Sequence, residues 1–252
     1  MKYAEKSQLK NRKNKKKHAV KSNKRTVFKR IVKCFFIVLF CFIAVSLIQV
    51  GTLRFINPPF TLSSSVGWLF DVTKGKDFSG LRAKWRPLTE ISPHVRRAVL
   101  AAEDQRFTGH GGFDYIEIGR AIDKAAKGGK LRGASTISMQ TARTVFLWNK
   151  RSVSRKFLEI YYTFLIECLW HKQRIMEVYL NTVDWGDDLI GVESAARKYF
   201  GTSAVALTAD QAAALVAILP NPRRFDPVNP DTATASRILR IKKDMLTMPL
   251  LQ

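Results

Sequence analysis

Residues 101–114 read AAEDQRFTGHGGFD and hold the densest set of groups able to move protons. Glu103 and Asp104 sit side by side, followed by Phe107, His110, two glycines and Asp114. Ser92 as N-cap and Pro93 at the first helical position predict a helix that runs into the acidic pair. The helix macrodipole is negative at its C-terminal end, so two carboxylates there oppose the usual placement of charge. Local rules are broken mostly at functional sites, which makes Glu103 and Asp104 candidates for proton-transfer chemistry. The alternative for this segment alone is an acidic helix end facing water.

A second block, Arg132–Trp148, reads RGASTISMQTARTVFLW. Small and hydroxyl residues at a helix start leave backbone N–H groups available to an anion. Ser135, Thr136 and Gln140 add side-chain donors, and Arg143 adds charge within a turn. An ordinary Ser/Thr-capped helix is the competing account. The third block, RSVSRKFLE, places Arg151, Arg155 and Lys156 near a helix start, where the dipole disfavours cations. Phosphate groups are the usual partners of such a cluster, and Arg can grip two oxygens at once. Glu159, four residues after Arg155 and three after Lys156, is equally placed to form plain helical salt bridges. In the fourth block, Arg174–Gly201, the apolar spacing is that of core, and Glu177, Asn181 and Glu193 read as structural.

These groups need helices to hold them. Asp114-x-x-Glu117 is an Asp variant of the capping box and predicts a helix ending at Gly128-Gly129. Another begins at Ser135 or Thr136 and runs to about Trp148. A longer one follows Ser154 through Phe157, Tyr161, Phe164, Leu165, Cys168 and Leu169, and Ile175, Met176, Tyr179 and Leu180 mark the next. Thr208-x-x-Gln211 opens a nearly apolar helix, Ala212–Leu219, stopped by Pro220 and Pro222. A basic helix follows from Asp231. Strictly alternating runs are short, so the expected fold is mainly α with one core.

The formal net charge of +23 is concentrated at the N-terminus: residues 1–33 hold fourteen Lys or Arg against Glu5 alone. The uncharged run Cys34–Val50 follows, and with Ile31 and Val32 it approaches the roughly twenty residues that span about 30 Å of hydrocarbon. A cleavable signal peptide has a shorter basic region and a shorter apolar core. A single-pass anchor fits better, with the lipid bilayer as partner. The positive-inside rule then places residues 1–33 in the cytoplasm and the chain after Gly51 outside. The segments expected are a basic tail (1–33), an anchor (34–50), a connector (51–88) and a mainly helical outer domain (89–252).

The basic tail also removes the nucleic-acid reading of the charge, since a membrane-flanking polybasic segment is explained by orientation and anionic headgroups. No zinc-finger or RNP pattern is present. Cys34 and Cys41 lie in the span, and Cys168, alone in a helical pattern, is expected to be a small buried apolar residue. The four histidines show no metal-ligand spacing, which disfavours a zinc enzyme.

In order, the four blocks resemble the glycosyltransferase domain that polymerises bacterial peptidoglycan, in its monofunctional biosynthetic transglycosylase form. The pattern E-D-x-x-F-x-x-H-x-G-x-D is met at Glu103, Asp104, Phe107, His110, Gly112 and Asp114. The pattern G-x-S-T-I-[ST]-Q-Q is met at Gly133, Ser135, Thr136, Ile137, Ser138 and Gln140, and R-K-x-x-E at Arg155, Lys156 and Glu159. Tyr179-Leu180-Asn181 and Gly191–Gly201 complete the series, so the resemblance covers roughly residues 57–225. Met139 stands where the family has the first of two glutamines, replacing an amide by a thioether. Arg143 stands where a Lys is common.

The resemblance implies a lysozyme-like, mainly α domain beside an inner (cytoplasmic) membrane, acting outside it on lipid II and a growing glycan strand. It implies Glu103 as general base and Glu159 as a second catalytic carboxylate that assists the leaving diphosphate, orients cations or helps hold a divalent metal such as Mg or Mn. Asp104, Ser135, Thr136, Gln140, Arg143, Arg151, Arg155 and Lys156 are then the substrate-binding set. Other cell-wall synthesis and division proteins are the expected partners. A membrane-anchored glycan-cleaving enzyme is the runner-up, but it has no diphosphate to give Arg151, Arg155 and Lys156 a role. A non-catalytic assembly partner is the third reading, opposed by the retained Glu103 and Glu159. The only Ser-x-x-Lys is Ser7–Lys10 and Lys-Thr-Gly is absent, so a second, penicillin-binding activity is not expected.

Overall fold

The computed structural model describes residues 2–58, 84–129, 133–148, 150, 152–186 and 189–251, with 2–27 as backbone. Most of the expected connector, 51–88, therefore lies outside the described residues, as does Arg151. The chain divides into two units, Met1–Gln49 and Val50–Gln252.

The described residues of the first unit are helical and belong to α1, Lys2–Leu53, which is unbroken where the basic tail meets the apolar run. The stretch Phe28–Leu53 has 26 residues and contains an 18-residue window with a mean hydropathy of 2.9. At 1.5 Å per residue it is long enough and apolar enough to cross a membrane. Phe35, Phe36, Val38, Phe40 and Ile48 are exposed around the helix, the pattern of a helix whose apolar surface faces something other than a protein core.

The second unit is an all-helical core; no strand occurs among the described residues, and the pair Asp184–Ile190 forms one isolated antiparallel bridge. The last turn of α1 belongs to this unit. There Val50 is fully buried and Leu53 packs against the core. The Val50 carbonyl accepts from Trp170 Nε1 at 2.8 Å, and the Leu53 and Ile56 carbonyls accept from Arg174 Nη2 at 2.9 and 3.0 Å. The end of a helix leaves carbonyls without partners, and here distant side chains supply donors, carrying the helix past Gly51.

Eight further α-helices follow among the described residues: α2 (Pro93–Glu103), α3 (Tyr115–Ala126), α4 (Ile137–Phe146), α5 (Val153–Leu169), α6 (Lys172–Thr182), α7 (Val192–Phe200), α8 (Ala209–Ala217) and α9 (Thr232–Met245). Their starts follow local chemistry. Ser92 caps α2 with Pro93 in its first turn, and Asp114 caps α3. Thr208 and Gln211 form a reciprocal capping box on α8, and Asp231 caps α9. α5 starts earlier than expected, because Ser152 and not Ser154 accepts from the Arg155 N–H.

The core joins Val95, Val99 and Leu100 of α2 to Leu215 and Val216 of α8 and to Ile241 and Met245 of α9. On the other side α4 packs on α5 and α6, with the Phe146 and Tyr162 rings stacked 4.5 Å apart. α5 departs from expectation: Phe157 and Phe164 are exposed, and so is Cys168. The expected burial of Cys168 is therefore corrected. Helical spacing marked a continuous apolar surface on α5, but the core covers only the face of Tyr162, Leu165 and Ile166.

Candidate active site

Glu103 is the last residue of α2, and two donors from distant elements hold its carboxylate. Gln140 Nε2 on α4 donates to Oε2 at 2.9 Å, and Arg237 Nη2 on α9 donates to Oε1 at 3.2 Å. These contacts answer the unfavourable dipole at the helix end. Gln140 is itself oriented, because its Oε1 accepts from the Tyr179 hydroxyl at 3.3 Å. Tyr179 is fully buried; burial first, then the Glu103 charge, pushes its phenol well above the usual range, so it remains a donor.

Asp104 points inward and organises the turn. Its carboxylate accepts from His110 Nε2 at 2.9 Å and from the Ile137 backbone N–H at 3.1 Å. His110 Nδ1 accepts from the Gly112 N–H at 3.1 Å, so the hydrogen-bond pattern assigns the ring proton to Nε2. Thr136 Oγ1 donates to the Gly112 carbonyl at 2.6 Å and accepts from the Met139 N–H at 3.2 Å. Gly112 has φ +93°, and a Cβ there would come within 2.9 Å of Glu167 Cγ and Thr163 Cγ2. Only glycine fits that approach. Asp114 closes the loop by accepting from Arg106 Nε at 3.0 Å and Nη2 at 2.5 Å, and from the Glu117 N–H at 2.9 Å. Burial opposes its ionisation, but the Arg106 guanidinium and the Glu117 N–H outweigh that and hold the carboxyl below its ordinary value.

The expected anion site at the start of α4 is thus partly occupied from within. Asp104 takes the Ile137 N–H and Thr136 takes the Met139 N–H, which is the capped-helix alternative.

Asp104, His110 and Asp114 bring three ligand-type atoms within 4.8 Å of one another. Their chemistry does not suit a divalent ion. His110 Nε2 carries the proton, its Nδ1 lone pair faces the Gly112 N–H, and Arg106 already covers both Asp114 oxygens. The cluster is a hydrogen-bonded clamp.

Beside it opens a cleft of about 400 Å³, lined by Glu103, Asp104, Arg106, Asp114, Glu117, Arg120, Lys124, Ser135 and Thr136 among others. Glu103 retains 17% side-chain exposure there, while Asp104 retains 2%. Of the two, Glu103 is the carboxylate exposed to the cleft, while Asp104 is taken up by His110 and the Ile137 N–H. Ser135 is half-buried on the cleft wall, and the Thr136 hydroxyl is spent on the two contacts above.

The cation cluster is separate from this lining. On α5, Arg155 Nη1 donates to Glu159 Oε2 at 2.7 Å and Lys156 Nζ to Oε1 at 2.6 Å. Glu159 and Arg155 are buried, while the Lys156 side chain is 44% exposed with N–H groups to spare. Arg143 is half-buried, three residues after Gln140 on the same face of α4, and its charge acts on Tyr179.

Several groups had no signal in the sequence. Arg237 and Arg106 reach carboxylates of the opening segment, and Glu167 joins Ser138 of α4 to Lys172 of α6, where the Lys ammonium lies 4.3 Å from the Phe107 ring centroid. Arg106 lay inside the segment, but its partner depended on the path of the loop.

A family model described as Transglycosylase matches residues 72–246. The biosynthetic peptidoglycan transglycosylase of Stutzerimonas stutzeri is 44% identical over 203 residues, covering 81% of this chain and 84% of its own. Proteins of the same name from Shewanella oneidensis and Caulobacter vibrioides are 43% and 42% identical, covering 79% and 87% of this chain and 84% and 91% of theirs. With the matched region containing the Glu103 cleft and the Glu159 cluster alike, the chain belongs to the transglycosylase family.

Proposed function

We propose that this chain polymerises lipid II into glycan strands, with Glu103 as the general base. The observation that carries the reading is the Glu103 carboxylate, open to the cleft and held by Gln140 and Arg237. Each carboxylate oxygen can accept two hydrogen bonds and takes one from these donors, so a lone pair remains on each for a substrate hydroxyl. Glu103 takes the proton from the 4-hydroxyl of the GlcNAc on the incoming lipid II. That oxygen forms a bond to C1 of the growing strand's MurNAc from the face opposite the leaving group. The C1–O bond to undecaprenyl diphosphate breaks, the electron pair leaves with the diphosphate, and the configuration at C1 inverts. A sugar hydroxyl is a poor nucleophile, and a positioned base contributes about 10²–10⁴ in rate.

The departing diphosphate concentrates negative charge, which cations stabilise most where water is excluded. Lys156 and Arg143 have capacity for it, with Arg155 and Arg151 as further members of the set. Glu159 serves by orienting: it fixes Arg155 and Lys156 and keeps their mutual repulsion low. In this reading the N-terminal helix anchors the chain in the inner membrane with residues 1–33 on the cytoplasmic side; the apolar helix and the basic charge ahead of it support that orientation.

Incubating the purified chain with lipid II tests the reading. Polymeric glycan and released undecaprenyl diphosphate are expected. Cleavage of preformed strands without polymer would assign the cleft to a lytic enzyme instead.

A further inference from the structure

None of the four sequence blocks includes α9, yet this helix places a guanidinium on the proposed base. Arg237 Nη2 lies 3.2 Å from Glu103 Oε1 across 134 residues of chain. Its placement is fixed from several sides. Asp231 caps α9, and Thr234, Ile241 and Met245 are buried beneath it at spacings of seven and four. Gln105 Nε2, just past α2, donates to Asp244 at 3.4 Å, and Lys242 pairs with Asp210 at the start of α8 at 2.5 Å. Beyond α9, the Leu251 carbonyl accepts from Arg96 Nη1 of α2 at 2.7 Å. The helix that carries Arg237 is thereby tied to the helix that ends in Glu103.

We propose that Arg237 is a positioning residue for the general base. The inference rests on the reading of Glu103 as that base. Three features support a role beyond a surface ion pair. The contact is partly buried, with side-chain exposures of 24% for Arg237 and 17% for Glu103. It supplies positive charge where the α2 dipole works against an anion. It also takes one carboxylate oxygen while Gln140 takes the other, so two donors from α4 and α9 fix the carboxylate plane and leave its free lone pairs to the cleft. A base whose plane swings by an ångström loses much of its rate advantage, about 100-fold in the worst cases.

The test compares wild type, Arg237→Ala, Arg237→Lys and Arg237→Met in lipid II polymerisation, with Glu103→Gln as reference and exposed Arg240→Ala as control. Arg237→Ala is expected to lower kcat by about 10- to 100-fold and to leave KM within about two-fold, because the group acts on the base and not on substrate binding. Arg237→Lys is expected to regain most of the loss, and Arg240→Ala to match wild type. In a Glu103→Gln background, Arg237→Ala should add nothing. If the alanine variant fails to fold, Arg237→Met against Arg237→Lys carries the same comparison. Wild-type kcat in Arg237→Ala or Arg237→Met beside an inactive Glu103→Gln would overturn the inference alone. Equal loss in the Lys and Met variants would also overturn it, making the contact a packing feature. Full activity in Glu103→Gln would overturn both the base reading and this inference.

Discussion

Glu103 and Glu159 are both carboxylates paired with cations, but they are held in different ways. Glu159 is buried and neutralised by Arg155 and Lys156 of its own helix, four and three residues before it. Glu103 is half-buried and held by Gln140 and Arg237, which lie 37 and 134 residues away. The first cluster is complete once α5 forms. The second exists only when α2, α4 and α9 are packed together, and it keeps a face open to the cleft. A carboxylate secured by its neighbours in sequence suits the task of holding cations in place. One secured by distant elements has its direction set by the tertiary fold, as a base must.

Stability measurements can break this contrast. Glu159→Gln leaves a buried Arg155 without its counter-charge, so unfolding free energy should fall by about 3–5 kcal/mol in denaturant titration. The part due to half-exposed Lys156 is the smaller one. Glu103→Gln keeps an amide on a partly solvated cleft wall and should cost about 1 kcal/mol or less. Equal losses would mean that both clusters serve only to hold the fold.

Asp114→Asn is expected to cost about 1–3 kcal/mol, through the weakened cap of α3 and the loss of the Arg106 pair. Its pH dependence has a definite sign. The folded carboxyl lies below its ordinary value of 3.8, so its contribution is fully present above that value. The contribution disappears as pH falls through the lower folded value. Melting curves across the acid range should show wild type losing more stability than Asp114→Asn as pH drops. Parallel curves would remove Asp114 from the loop clamp.

Met139→Gln sharpens the comparison on the α4 side. Met139 is 6% exposed and does not line the cleft, so an amide there is buried and costs about 1–3 kcal/mol unless it finds partners. Thermal melts check this, and an unchanged midpoint would show that the site already offers hydrogen bonds. The smallest effect belongs to Cys168→Ser: at an exposed position it should shift stability by less than about 0.5 kcal/mol and abolish labelling by a thiol reagent at that residue.

How much of this was legible follows chain distance. Caps at Ser92, Asp114, Thr136, Thr208 and Asp231 are set by side chains within three residues, so the helix starts could be read directly. The Arg155–Glu159–Lys156 cluster is local in the same sense. Spacing identified α5 as apolar but could not say which face is covered, so Phe157, Phe164 and Cys168 emerged exposed. The anion-ready start of α4 was legible as a capped helix, whereas its internal occupant, Asp104, required the turn at Gly112 to fold back. Arg237 carried no signal, since nothing in a basic helix names the acid it will meet.

In the proposed reaction Glu103 moves the proton. Initial rates of lipid II polymerisation for Glu103→Gln, measured beside a titration of lipid II binding, test it most directly. A loss of about 10²–10⁴ in rate with binding retained is expected. Wild-type rates in a folded Glu103→Gln protein would contradict it.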